Sequence, residues 1–266
     1  MRQLGYRTVA FDAAIFDHVQ VTNTDVFYRT PTLSGFAFDN FHYQLISLTP
    51  VRILLNWLEN DESKYNELHR KKILHGFGKL KQAHTLRSPV FVYAHFLAPH
   101  HPHVFGANGE PVDPAIRVSY YTPIDDTVAR NAFAKTYRDE LHYLNKLLMQ
   151  SIDSILANSK TEPVIILQSD HGSDAFIDAN DMAKSNVKER IANLFAMRLP
   201  AGKKAPLHDQ VTPVNTFRYV FNSCFNAGLP LLPDKSYYST HKEMFNFTEV
   251  PNFCGAAGGK NAVAGE

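Results

Sequence analysis

An aspartate and a histidine stand side by side directly after an apolar run, and they are the first candidates for chemistry. The segment reads Ser169-Asp170-His171-Gly172 and follows PVIILQ at residues 163–168. At the end of a strand, a glycine permits a close turn, so both side chains can reach one cation. A carboxylate with an imidazole favours Zn or Mn over Mg or Ca. The same residues also suit an ordinary turn capped by Asp170, so a motif this short leaves both interpretations open.

A second candidate is a loop rich in histidine. Of the 13 histidines in the chain, four fall within residues 95–103, which read HFLAPHHPH. The two prolines stiffen the loop, and a stiff loop can hold imidazoles in fixed directions. Such imidazoles can donate to an anionic oxygen, protonate a leaving group or bind a metal. His95, His100 and His101 are the candidates, with a backbone-satisfied strand residue as the alternative for His95, and His103 is expected to be exposed.

Apolar patterning predicts the elements that position these residues. The predicted strands are short apolar runs, at residues 8–14, 89–96, 163–168 and 194–199. The predicted helices are marked by caps, charged surface segments or apolar stripes, at residues 49–60, 62–82, 129–155 and 212–225. Asp125 or Asp126 is expected to cap the longest helix, and the lysines and arginines of residues 62–82 are expected to face solvent.

The order of these elements predicts an α/β fold with a mostly parallel sheet flanked by helices. A strand, a long helix and a second strand imply a right-handed parallel crossover. In such sheets, ligands bind outside the carboxyl ends of the strands. We therefore predict that Asp170 and His171 lie at that edge of the parallel sheet and face His100 across a cleft. One domain is expected over residues 1–250, followed by a flexible tail at residues 251–266.

Composition narrows the classes of function. The chain has 266 residues, of which 44% are apolar and 20% are charged, as in an ordinary globular protein. Lys and Arg number 27 against 26 Asp and Glu, so the formal net charge is +1. This charge provides no long-range field for a polyanion and speaks against nucleic-acid binding. No run approaches the roughly 20 apolar residues that cross a bilayer.

Three segments together resemble the sulfatase-like branch of the alkaline phosphatase superfamily. This branch includes sulfatases, phosphoethanolamine transferases and lipoteichoic acid synthase-like enzymes. The segments are VIILQSDHGS at residues 164–173, HFLAPHHPHVFGANG at residues 95–109 with its Pro-His-x-Pro core, and TPVNTFRYVFN followed by LPLLPDKSYYS within residues 212–239. The resemblance covers most of the chain, from Gly5 to about Thr248, and implies an alkaline phosphatase-like fold that is incomplete at its N-terminus.

The resemblance implies a metal-dependent hydrolase or transferase that acts on sulfate or phosphate esters. By resemblance, Asp170 and His171 correspond to ligands of a divalent metal, with Zn or Mn favoured and Ca or Mg as alternatives. His100 corresponds to the histidine that contacts the transferred group, with His95 as a second partner and His101 as a further substrate-binding candidate. Such a transfer needs a cation and hydrogen-bond donors that stabilise the developing charge.

Part of the family's pattern has no counterpart in this sequence. Enzymes of this kind also have an acidic metal ligand after their first strand and a Thr, Ser or modified Cys nucleophile. Both lie upstream of the segment that resembles LGYRTV at residues 4–9. We therefore expect the nucleophile and half of the metal site to lie outside this sequence, and this chain alone to be inactive or impaired. Membrane attachment, on the extracytoplasmic face, is expected only through segments outside this sequence.

Two further interpretations stay open. One is a non-catalytic pseudoenzyme or partner-binding module that keeps the same fold. The other is an unrelated, complete metal hydrolase, in which His95, His100 and His171 would converge within about 2.0–2.2 Å of one ion. The sequence sets no oligomeric state.

Overall fold

The computed structural model divides into two units that are compact in themselves. It describes residues 1–11, 23–30, 45, 48–50, 62–87, 89–113 and 122–252, with the side chains of residues 62–65 excepted. The first unit comprises Met1–Arg117 and Asn131–Lys160, and the second comprises Val118–Arg130 and Thr161–Glu266. The helix predicted at 49–60 lies outside the described residues beyond position 50, as does the predicted tail from position 253 onward.

A three-stranded parallel sheet forms in the first unit. Strand β1 (Arg7–Phe11) lies between β2 (Val26–Tyr28) and β3 (Val90–Tyr93). Val9, at the centre of β1, is fully buried. The strands predicted at 8–14 and 89–96 are therefore confirmed as Arg7–Phe11 and Val90–Tyr93, and β1 is the central strand among those described.

Two long helices build the core of the first unit. Helix α1 spans Glu62–Lys81 and α2 spans Thr127–Asn158, close to the predicted bounds. Asp126 caps α2, because its Oδ1 accepts a hydrogen bond from the Ala129 amide at 3.0 Å. The core is a cluster of buried apolar side chains from α1, α2 and the loop after β3, namely Ile73, Phe77, Val104, Phe105 and Leu144.

The basic residues of α1 do not all face solvent, so that prediction is wrong for Arg70 and Lys72. Lys72 is 8% exposed. Arg70 donates to the carbonyl oxygens of Val104 at 2.5 Å and Gly109 at 2.9 Å. Its guanidinium also lies 4.5 Å from the ring centroid of Phe105. Arg70 thus ties the loop after β3 to α1, since one guanidinium can bind several carbonyl groups at once.

From residue 161 to residue 252, the second unit contains two antiparallel strand pairs and two α-helices. Its elements are, in chain order, β4 (Ile165–Gln168), α3 (Val187–Ile191), β5 (Phe195–Arg198), α4 (Thr216–Phe225), β6 (Ser236–Tyr238) and β7 (Thr248–Val250). Strand β4 pairs with β5, and β6 pairs with β7. The strands predicted at 163–168 and 194–199 and the helix predicted at 212–225 are confirmed, and a short 3-10 turn at Pro213–Asn215 precedes α4.

The prediction that β4 joins a parallel sheet through a crossover connection is wrong. Among the described strands, β4 pairs only with β5, and the two are antiparallel. An apolar run predicts a buried strand but does not set the direction of its partner. Asp170 and His171 therefore follow an antiparallel strand pair, and the fold class that stands is mixed α/β with a small parallel sheet. Of the helices in the described residues, none has the length and apolar character needed to cross a membrane.

Candidate metal and oxyanion site

The backbone after β4 is anchored to the residues that precede β5. The Ser169 amide donates to the Leu194 carbonyl at 3.0 Å, and the Ser169 hydroxyl accepts from the Leu194 amide at 2.8 Å. The Asn193 side chain donates to the Ser169 carbonyl at 3.2 Å. Three hydrogen bonds therefore fix the position from which Asp170 and His171 extend.

The structure brings the side chains of Asp170 and His171 together. Asp170 Oδ1 accepts from the His171 backbone amide at 3.0 Å, and Asp170 Oδ2 lies 3.4 Å from His171 Nε2. The Asp170 side chain is 86% exposed and that of His171 is 34% exposed. Two ligands about 2.1 Å from one tetrahedral ion lie about 3.4 Å apart. The observed spacing is therefore the spacing of two ligands on one cation.

The donor types also suit a divalent metal. Carboxylate oxygen and imidazole nitrogen are ligands that Zn and Mn accept. Within the parts of the chain that the structure describes, no group of three or more His, Cys, Asp or Glu side chains could hold one ion. Asp170 and His171 are thus compatible with a cation in donor type and spacing, as two side chains of the larger set that such an ion needs.

Gly172 allows the chain after this pair to approach α3 closely. A Cβ at position 172 would lie 2.0 Å from the Glu189 carbonyl oxygen and 2.6 Å from that of Ala192. The Gly172 amide also donates to the Arg190 carbonyl at 2.8 Å. A glycine is therefore required here by close backbone contact, and this contact places α3 next to His171.

Arg190 extends from α3 to His171. Its Nη1 lies 2.5 Å from His171 Nδ1 and also pairs with Asp174 Oδ1. The side chains of Arg190 and Asp174 are 21% and 15% exposed, so water screens this ion pair only in part. Sequence reasoning missed Arg190, because it follows His171 by 19 residues and no spacing pattern connects them.

A cavity of about 360 Å³ lies beside these residues, within the usual range for small-molecule sites. The residues of interest that line it are Asp170, His171, Arg190, Thr212, Tyr237 and Tyr238. A carboxylate, an imidazole, a guanidinium and hydroxyl groups therefore share one small cavity in the second unit.

Asp234 holds Thr212, one of the residues that line the cavity, in place by hydrogen bonds. The amide and hydroxyl of Thr212 both donate to Asp234 Oδ1 at 2.7 Å, and the Asn215 side chain donates to Oδ2 at 3.3 Å. His208 Nε2 lies 3.1 Å from the same Oδ2. Burial acts to raise the pKa of Asp234, but the hydrogen bonds from Thr212 and the nearby His208 hold it below its usual value. As an ionised carboxylate, Asp234 therefore holds Thr212 in place.

The histidine loop lies in the first unit. His100 Nδ1 donates to the His101 carbonyl at 2.6 Å, and the two rings stack with centroids 4.4 Å apart. The ring of His95 lies 6.2 Å from that of Tyr93. The structure thus brings His100 and His101 together, and their roles at one site with Asp170 and His171 stay predictions.

His103 is buried, so the prediction that it is exposed is wrong. The residue is 7% exposed, and its Nδ1 forms a hydrogen bond with Thr136 Oγ1 at 2.8 Å. Its ring packs against Phe133 at 4.6 Å. Burial, with His101 and His100 nearby, lowers the pKa of His103 to about 4, so the imidazole is neutral at pH 7. His103 therefore ties the loop to α2.

Two further buried titratable groups were not expected from the sequence. His69 is 1% exposed and its Nε2 donates to the Leu97 carbonyl at 3.1 Å, and burial lowers its pKa to about 4. Glu140 is 0% exposed, and neither carboxyl oxygen forms a hydrogen bond of good geometry. Burial raises the pKa of Glu140 to about 8, and the Val104 amide and the Arg70 guanidinium offset this only in part.

Comparison with known proteins adds no relative to this description. The chain matches no protein-family model, no curated protein and no solved structure. The resemblance to the sulfatase-like branch therefore rests on the sequence segments alone.

Proposed function

We propose that the protein is a metal-dependent hydrolase or transferase of sulfate or phosphate esters, with the alkaline phosphatase-like fold of the sulfatase-like branch. The observation that carries the proposal is the 3.4 Å spacing between His171 Nε2 and Asp170 Oδ2. Both residues line a cavity that Arg190 also lines. A site of this kind combines a place for a cation with a group that binds oxyanions.

Each residue of the cavity has a separate task in this proposal. Asp170 and His171 hold the divalent cation, which would polarise an ester oxygen and offset its developing negative charge. Arg190 donates to oxygens of the transferred sulfuryl or phosphoryl group, because a planar guanidinium matches the spacing of such oxygens. The Gly172 contact with α3 sets the distance between the two binding groups. The roles that the resemblance implies for His95, His100 and His101 are part of the same proposal.

A non-catalytic partner-binding module is the second candidate. It is favoured by one observation, that no group of three or more metal-ligand side chains comes together among the described residues. Catalytic zinc sites usually have three protein ligands. Such a module would bind a cation without turning over an ester.

Ester turnover separates the two candidates. The purified chain is incubated with Zn²⁺ or Mn²⁺ and with an aryl phosphate or an aryl sulfate. Because the nucleophile is expected outside this sequence, we expect the proposed enzyme to release the aryl alcohol slowly, at a rate that Asp170→Ala reduces to background. Asp209→Ala is the matched control, because Asp209 is an exposed aspartate of the same unit outside the cavity lining. Full metal loading without turnover would favour the module.

A further inference from the structure

One nitrogen of His171 has two neighbours that require opposite hydrogen-bonding roles. Nδ1 lies 2.5 Å from Arg190 Nη1 and 2.8 Å from the Gly172 carbonyl oxygen. A guanidinium only donates and a carbonyl oxygen only accepts. A neutral imidazole carries a proton on one nitrogen, so the two contacts belong to two different tautomers of His171.

The choice between these tautomers decides whether Nε2 can bind a metal. When Nδ1 accepts from Arg190, the proton is on Nε2, which faces Asp170 Oδ2 at 3.4 Å. When Nδ1 donates to the Gly172 carbonyl, the Nε2 lone pair is free and faces the same carboxylate. A metal-bound histidine usually donates its other N–H to a carbonyl or carboxylate in this second way. Arg190 therefore favours the tautomer that does not accept the cation.

Arg190 has other partners besides His171. Its Nη1 also contacts Asp174 Oδ1 and lies 3.5 Å from the Gly172 carbonyl oxygen. Among the described residues that line the cavity, it is the only lysine or arginine. An oxyanion in the cavity would therefore compete with His171 Nδ1 for the N–H groups of Arg190.

We propose that Arg190 is the oxyanion-binding residue of this cavity and that it couples the oxyanion to the metal. An oxyanion draws Arg190 from His171 Nδ1, the imidazole passes to the tautomer bonded to Gly172, and Nε2 becomes a metal ligand. In this exchange one proton moves from Nε2 to Nδ1 of the imidazole. This inference rests on the proposed function, because it requires that Asp170 and His171 bind a cation. By linkage, each ligand then raises the affinity for the other by the same factor.

The tautomer can be measured without metal. Long-range ¹⁵N–¹H correlations of the His171 ring show which nitrogen carries the proton. We expect the proton on Nε2 in the native chain and on Nδ1 in Arg190→Gln. Arg198→Gln is the matched control, because it removes the same charge from a half-exposed arginine on β5 that pairs with Glu162, and it should keep the native tautomer. A proton on Nδ1 in the metal-free, sulfate-free native chain would overturn the proposal.

Metal affinity then tests the coupling. Loss of the Mn²⁺ electron paramagnetic resonance signal reports binding, with potassium sulfate compared against potassium chloride at equal ionic strength. Sulfate should tighten Mn²⁺ binding about tenfold in the native chain and in Arg198→Gln. Arg190→Gln should bind Mn²⁺ equally well in both salts. Equal affinities in both salts for the native chain would overturn the coupling.

The two proposals fail in different ways. If the native chain binds no Mn²⁺ in either salt, the proposed function is wrong, and the coupling falls with it. If Mn²⁺ binds but sulfate has no effect, only the coupling is wrong. The measurements on the native chain need no variant, so they decide the matter even if Arg190→Gln fails to fold.

Discussion

Gly172 is the residue at which a single methyl group should have the largest local effect. Its Cβ would meet the carbonyl oxygens of Glu189 and Ala192 at 2.0 and 2.6 Å. Backbone atoms cannot move aside as a flexible side chain can, so Gly172→Ala should reduce the free energy of unfolding by about 1–3 kcal/mol. Urea unfolding measures this change.

Gly78→Ala is the control for that prediction, because it should change the free energy of unfolding in the opposite direction. It lies within α1, and a Cβ there would have nothing within 4 Å. Gly78→Ala should therefore stabilise the protein by about 0.5–1 kcal/mol, because alanine loses less entropy in a helix. Equal effects of the two substitutions would show that the close contact at Gly172 does not exist in solution.

At this scale, a sequence pattern identifies the candidate ligands more readily than the residues that contact them. Asp170 and His171 are adjacent in the chain, so a pattern can find them. Arg190 reaches His171 only because Gly172 lets α3 approach, and that contact depends on tertiary packing. The same reason explains why His103 was expected at the surface, since nothing near it in sequence shows that Thr136 and Phe133 cover it.

The long helix α2 has a buried polar face that its apolar stripe does not show. Two buried polar residues, Thr136 and Glu140, lie between the buried apolar residues Phe133 and Leu144. A third, Ser151, lies about two turns after Leu144 and is also buried. The spacing of apolar residues predicted the helix and its buried side. It could not predict that Glu140 lies on that side, because a charged residue counts as exposed in any apolar pattern.

Glu140 should give the protein a stability that depends on pH. Its pKa is about 8 in the folded chain, above the ordinary value of 4.5. The stabilisation from the neutral carboxyl is therefore complete below pH 4.5 and is lost as the pH rises through 8. Between pH 7 and pH 9, Glu140→Gln should gain about 1 kcal/mol of unfolding free energy relative to the native chain.

Urea unfolding at pH 7 and pH 9 tests this prediction. His69 and His103 do not disturb the comparison, since both have pKa values of about 4 and are neutral throughout this range. Asp153→Asn is the matched control, because it removes an exposed carboxylate from the same helix. A difference between Glu140→Gln and the native chain that is the same at both pH values would show that Glu140 is ionised when folded.

Strand pairing was the least predictable feature of the elements. The apolar runs gave β3, β4 and β5 to within a few residues. Which strands pair depends on the connection between them. The residues between β4 and β5 form turns and the short helix α3, and they do not form a crossover connection to a parallel strand. Antiparallel pairing of β4 with β5 is the result.

At the scale of the whole molecule, the proposed ligand depends on local charges and not on the net charge. A net charge of +1 provides no general attraction for polyanions. The charged groups that matter are local, where Asp170, His171 and Arg190 meet at one cavity in the second unit. A small anionic ester that binds a cation and a guanidinium together fits this arrangement.

The central claim is that Asp170 and His171 hold a divalent cation, and calorimetric titration with Zn²⁺ tests it most directly. The titration is made in constant sulfate, so that the contact between Arg190 and His171 does not limit binding. We predict one bound ion per chain, with the affinity reduced at least about tenfold in Asp170→Ala and in His171→Ala. Asp209→Ala should bind as the native chain does. Equal Zn²⁺ affinity in the native chain and the two site variants would contradict the account.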